Sequence, residues 1–224
     1  TKNALVKCLH CDTYLHDGRN IDEYRLLKLQ QIYKIIEKDS CISEDEKQIY
    51  EQVLKALTER TEETVSTLSV EVLDKVFICV INDHPEIFYV SGYVYTSRSR
   101  GDETVSLTIK GKYDYDEAEC EERLAAIEQE AENMLTGIPA NATDYEKIKH
   151  VFDTLVNETE YVADAADNQN ICSVFMGKQS TCQGYAKATQ YLLNKVGVET
   201  TFVSGDVAAF SRIKDWCLYA SHKT

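Results

Sequence analysis

The stretch whose reading decides the rest is residues 179–207, QSTCQGYAKATQYLLNKVGVETTFVSGDV. It predicts a helix over residues 182–196, closed by Gly197, and then a strand, ETTFVSG, over residues 199–205. Cys182 thereby falls in the first turn of a helix, where unpaired N–H groups and the helix dipole favour an anion. Gly184 and Ala186 are expected to keep the adjoining backbone uncrowded, so that a substrate could approach the sulfur. A cysteine at a helix start is either a nucleophile or a structural thiol, and position alone does not separate the two.

Working outward, Leu26, Leu29, Ile32, Ile35 and Ile36 recur at helical spacing and predict a helix over residues 21–39. Ser43 with Glu46 forms a capping box that opens a helix to about residue 60. Ser69 starts another, VEVLDKVFICVIND, whose apolar positions run nearly all round and predict burial on every side. Pro85 ends it by barring the αR conformation for His84. IFYVSGYVYTS (87–97) and TVSLTIKGKY (104–113) read as the strands of a hairpin turning through SRSRGDE. Asp116 caps a long acidic helix through about residue 134, and Gly137 with Pro139 ends it. Thr143 and Glu146 make a second capping box, for a helix to about residue 159, and an Asn- and Asp-rich loop spans residues 163–170. Helices precede and surround a few strands without βαβ alternation, which is an α+β plan.

The chain of 224 residues carries 43% hydrophobic residues, enough for a real core, and a net charge of −14 that argues against nucleic acid or anionic membrane as partner. No apolar run approaches the ~20 residues needed to span a bilayer. A chain opening at Thr1 without a signal-peptide pattern is expected to be a trimmed one. Its eight cysteines do not have the spacing of a small secreted disulfide scaffold. Cys79, in the apolar run VFICVI, reads as a core residue, whereas Cys41, Cys120 and Cys172 lie in polar or mixed surroundings without a pattern. Cys8 and Cys11 form a CxxC near His10 and His16, but no second ligand pair follows, so no metal and no cofactor are expected. A metal-binding adaptor built on Cys8 and Cys11 is the weakest of the functional readings.

STCQGYAKATQYLLNKVGVETTFVSGDV resembles the nucleophile segment of bacterial transglutaminase-like domains, relatives of papain-type cysteine peptidases. The matching positions are Cys182, Gly184, Tyr185, Ala186, Gly197, Val203 and Gly205. Upstream, DYEKIKHVFDTLVNETEYV (144–162) is similar to the helix and tyrosine that precede this segment, and DHPEIFYVSG (83–92) resembles a region joined to it in Gram-positive bacteria. The resemblance spans about residues 43–207; with the pattern read above it divides the chain into a tail over 1–20, a helix-and-hairpin region over 21–115 and a transglutaminase-like core over 116–224, divergent after about residue 207. It implies that Cys182 is the catalytic nucleophile, acting on a protein or peptide by peptide cleavage or by amide transfer at Gln, at an extracellular or cell-surface location.

Such chemistry needs a histidine to take and return the proton and an Asp or Asn to orient it. In the family these lie on strands that follow the Val-x-Gly turn. Here SGDVAAFSRIKDWCLYASHKT (204–224) has Trp216 preceded by Lys214 and Asp215, with no histidine before it. His222 has none of the family context and is not expected to bond Cys182; His84 and His150 precede the cysteine, against the family's order, and are expected to be structural. The departure fits a pseudoenzyme or an altered or shortened reading frame. The expectation is therefore a transglutaminase-like or cysteine-peptidase-like protein with an incomplete triad and little activity, or a non-catalytic surface or interaction module on the same fold. Loss of the closing strands further implies an open edge, and a homodimer joined through residues 199–206.

Overall fold

The Ser43 N–H donates to the Glu46 carboxylate at 2.8 Å, the capping arrangement predicted for that pair, and a helix follows at once. In the computed structural model, which describes residues 42–101, 103–200 and 202, this is α1 (Glu44–Thr58). The helix expected over 21–39, Cys8, Cys11, Cys41, Gly205 and His222 lie outside the described residues. So does most of the strand expected over 199–205; Glu199, Thr200 and Phe202, which are described, are in neither helix nor strand.

After α1 come β1 (Glu62–Val65), α2 (Val70–Asp83), a 3-10 turn (Pro85–Ile87), β2 (Val90–Arg100) and β3 (Glu103–Tyr113). Then follow α3 (Glu117–Leu135), α4 (Asp144–Glu158), β4 (Glu160–Tyr161), α5 (Cys172–Phe175), β5 (Gln179–Ser180) and α6 (Cys182–Lys195). Of the described residues 53% are helical and 19% are in strands, and the larger sheet, ordered β1-β3-β2, is wholly antiparallel. That combination is an α+β fold. The second sheet is a short parallel pair, β4 with β5.

Caps start the helices where the sequence placed them. The Val72 N–H donates to Ser69 Oγ at 3.3 Å, the Glu119 N–H to Asp116 Oδ1 at 2.9 Å and the Glu146 N–H to Thr143 Oγ1 at 3.3 Å. Gly197, at φ +74°, closes α6: its N–H reaches Asn194 O at 3.1 Å, and the Val198 N–H reaches Leu193 O at 2.9 Å.

Two expectations need correction. The helix after Ser69 is not buried all round: Leu73, Val76 and Val80 are buried, but Ile78 is 55% exposed and Cys79 is half-buried. A helix two-thirds apolar in sequence still needs only one face against its neighbours, and α1 with the sheet supplies one face. The strand expected from Ile87 begins at Val90 instead; Ile87, Phe88 and Tyr89 are buried in the turn that Pro85 starts. β1 was not foreseen. It pairs Glu62 with Lys110 and Val65 with Leu107, and its polar composition hides a strand that buries a single side chain, Val65.

The inner face of the sheet, with Val65, Leu107 and Ile109 buried, is covered by Ile49, Val53 and Leu57 of α1 and by the buried side of α2. The same hydrophobic cluster continues through Ile127 and Ala131 of α3 and Val151 and Leu155 of α4 to Ala188, Leu192 and Leu193 of α6. Cys120 and Cys172, read as lacking any pattern, are buried in it. Among the described residues no helix is long and apolar enough to cross a membrane.

Arg60 ties the two halves of this core together. It follows α1 at φ +55°, and its guanidinium lies 4.3 Å from the Tyr113 ring centre and 5.2 Å from that of Tyr89. The same group donates to Tyr115 O at 3.2 Å and to Cys120 Sγ at 2.9 Å, so one cation joins the hairpin to α3. Arg60→Ala is expected to lower the unfolding free energy by about 2 kcal/mol, from charged hydrogen bonds of that order. Arg60→Lys should recover less than half, because an ammonium cannot bond the carbonyl and the sulfur while lying flat on two rings. Urea denaturation of the three proteins reads both effects.

Candidate functional site

Cys182 is the first residue of α6, a helix of 14 residues, and it is exposed. Of the four described cysteines it alone is: Cys79 is half-buried, Cys120 and Cys172 buried. Burial pushes the Cys172 thiol up to about 11 and raises that of Cys120, which keeps both protonated at neutral pH. Neither is placed for nucleophilic work.

The residue before it, Thr181, occupies the N-cap in extended conformation but makes no side-chain cap. Its hydroxyl donates instead to Asn168 O at 2.7 Å. The amides of the first turn are therefore left without that partner, beside an exposed sulfur.

Around this turn the chain builds a small polar cradle from residues whose pattern announced nothing. Ser173 Oγ donates to Asn170 O at 2.8 Å and lies 2.7 Å from Ser180 Oγ. The loop over residues 163–170 is thus not a bare connection, since its Asn168 and Asn170 carbonyls hold the hydroxyls of β5, α5 and Thr181. Asp167 anchors the loop to the core, accepting from the Tyr115 hydroxyl at 2.6 Å and from Arg123 at 3.2 Å, with Arg123 stacked 4.1 Å over the Tyr115 ring.

Gly184 fits into the cradle, and this revises the reading of it as room for a substrate. Gly184 is buried. A Cβ on it would stand 2.7 Å from Ser173 Oγ, 2.9 Å from Asn168 O and closer still to Ser180 Oγ. The space that glycine leaves is filled by the hydroxyls of α5 and β5 and by a loop carbonyl. Ala186 is likewise buried.

On the other flank, β4 runs beside β5 with Tyr161 opposite Ser180, and the Val162 N–H donates to Ser180 O at 2.9 Å. Tyr161 is 63% exposed and stacks on Tyr185, at 6.4 Å between ring centres and 16° between planes. The Tyr185 hydroxyl donates to Thr159 O. Further along α6, Lys187 is buried with its ammonium 5.9 Å from the Phe202 ring, and burial draws the amine below the ordinary lysine range.

The described histidines do not meet Cys182. His84 caps α2 and its Nδ1 lies 2.7 Å from Glu86 Oε1; His150 Nε2 bonds Met134 O at 2.9 Å, from α4 to α3. Both are structural in these contacts. Among the described residues no group of three or more His, Cys, Asp or Glu is gathered as metal ligands are.

Two outcomes follow. Gly→Ala inside a helix ordinarily gains about 1 kcal/mol from propensity, but here the clash outweighs it, and Gly184→Ala should lose about 2–3 kcal/mol as an overpacked site does. Adding Ser180→Ala should return part of that loss, a coupling read by a double-mutant cycle in urea. For His84, the bond to Glu86 raises the imidazole above its ordinary value. A raised folded-state value makes the pair's contribution complete below the ordinary histidine range and lost as pH rises through the folded midpoint. An NMR titration should find that midpoint above ~6.5 and lower in Glu86→Gln. Compared with known proteins, the chain matches no family model and no curated protein.

Proposed function

We propose that Cys182 is the nucleophile position of a thiol acyl-transfer site of transglutaminase-like or cysteine-peptidase-like kind, directed at a protein or peptide, and that the chain holds it without an assembled triad. The observation that carries the reading is the placement of Cys182, the one exposed cysteine among the described residues, at an N-terminus whose N-cap hydroxyl is turned away. In such a site the sulfur attacks an amide carbonyl, the oxyanion draws on nearby N–H groups, and a base shuttles the proton to the leaving amine. The last part has no candidate among the described residues, because His84 and His150 are engaged elsewhere.

That engagement also favours the second reading, an interaction module that uses the same surface without turnover. An extracellular or cell-surface location and a homodimer through residues 199–206 belong to this proposal, and both rest on the family resemblance.

Limited alkylation with iodoacetamide, followed by peptide mass mapping, should label Cys182 before Cys79, with Cys120 and Cys172 last. Equal rates at Cys182 and Cys79 would count against a nucleophile. Casein and a Gln-donor peptide with an added amine should show no turnover beyond that of Cys182→Ala. Turnover abolished by that substitution would overturn the incomplete triad.

A further inference from the structure

We propose that the stacked rings of Tyr161 and Tyr185 form a shelf beside Cys182 that receives an aromatic side chain of the peptide on which this site acts. The inference deepens the reading of Cys182 as an acyl-transfer nucleophile and rests on it.

Three observations carry it. Tyr161 is 63% exposed, so its ring contributes little to the core, yet it is held: its backbone is in register with Ser180 and the next amide bonds Ser180 O. Its inner face lies nearly parallel to Tyr185, which is itself pinned through its hydroxyl to Thr159 O. Among the described residues Tyr185 is the one ring that stacks on Tyr161, which leaves a flat, held surface on the exposed residue. An aromatic ring can add to such a pair in the same offset geometry, which aromatic groups prefer.

The position relative to the sulfur follows from the elements. Cys182 and Tyr185 are three residues apart on α6, which brings their Cβ atoms to about 5–6 Å. Tyr161 reaches the same turn from β4, whose partner β5 runs through Thr181 into Cys182. A group stacked on Tyr161 is therefore carried on the flank of the helix turn that Cys182 opens and Tyr185 faces. Because both rings are already fixed by the fold, ordering them costs the substrate little.

A thiol probe tests the shelf without requiring turnover. Native protein is alkylated in parallel with iodoacetamide, N-benzyl iodoacetamide and N-cyclohexylmethyl iodoacetamide, and labelling at Cys182 is followed by peptide mass mapping. Each rate is divided by the rate of the same reagent with N-acetylcysteine. The corrected benzyl rate should exceed the plain one by about fivefold to tenfold, the scale of one aromatic contact, and should exceed the cyclohexyl rate as well. Tyr161→Ala should bring the benzyl advantage below about twofold, and Tyr161→Phe should keep it. An advantage that survives in Tyr161→Ala, or one shared equally by the cyclohexyl reagent, overturns the aromatic shelf. The nucleophile reading fails separately, when plain iodoacetamide labels Cys182 no faster than Cys79; the benzyl preference can stand or fall on its own.

Discussion

Everything at the start of α6 depends on the absence of one Cβ. Gly184 lets the first turn of the helix press against two serine hydroxyls and a loop carbonyl closely enough that no other residue would fit. That contact seats α6 over the loop that Asp167 anchors to Tyr115 and Arg123, and it is why Thr181 reaches Asn168 rather than capping its own helix. The direction in which Cys182 leaves the surface is a consequence. A helix displaced by even an ångström would open a gap beside the Ser173 and Ser180 hydroxyls, which keep their bonds to each other and to the loop carbonyls, and would forfeit the close packing of Gly184 against them.

The charge pattern supports the same seat. In a chain with a net charge of −14, the lysines that flank α6, Lys178 and Lys195, are spent on carboxylate partners. Lys195 bonds Glu128 at 2.5 Å, Tyr191 donates to the same carboxylate at 2.8 Å, and Lys178, just before β5, pairs with Glu130 and with Glu158. Bonds from Lys195 and from Lys178 hold Glu128 and Glu130 below the ordinary glutamate range. A depressed folded-state value makes their contribution complete above the ordinary range and lost as pH falls through the folded one. These pairs are partly exposed, so solvent and salt screen them and each is worth little alone. Their placement on both ends of α6 matters more: α3 grips the helix at the strand that feeds it and at its last turn.

Much of this was legible in the residues, and what was not has physical reasons. Capping boxes, the hairpin and the stop at Gly197 were readable because each is decided by groups within a few positions of one another. β1 was not, since a strand of EETV that buries only Val65 has no alternation to detect. The burial of Cys120 and Cys172 was missed for a different reason: polar neighbours along the chain say nothing about the tertiary wall, here Arg60 and Tyr115 for one and Arg123 for the other. The helix after Ser69 erred in the opposite sense, because apolar content sets how much of a helix can be buried, not how much cover exists. Gly184 was singled out correctly and explained wrongly. A glycine beside a candidate nucleophile invites a substrate, but in the fold Ser180, Ser173 and Asn168 have taken the space.

This arrangement separates holding from reacting. The groups that orient Cys182 and the two tyrosines lie in α6, β4, β5 and the loop between β4 and α5, all supported by α3 and by the hydrophobic cluster. Among the described residues no imidazole is bonded to those groups, since His84 pairs with Glu86 and His150 with Met134 O. A chain that lost its base would keep the sulfur, the N-terminal amides and the aromatic surface in place, since none of them depends on an imidazole for its position. Binding and catalysis in such a site are then independent properties. The enzyme reading and the interaction-module reading differ only in whether a base is supplied, and the geometry at Cys182 is the same for both.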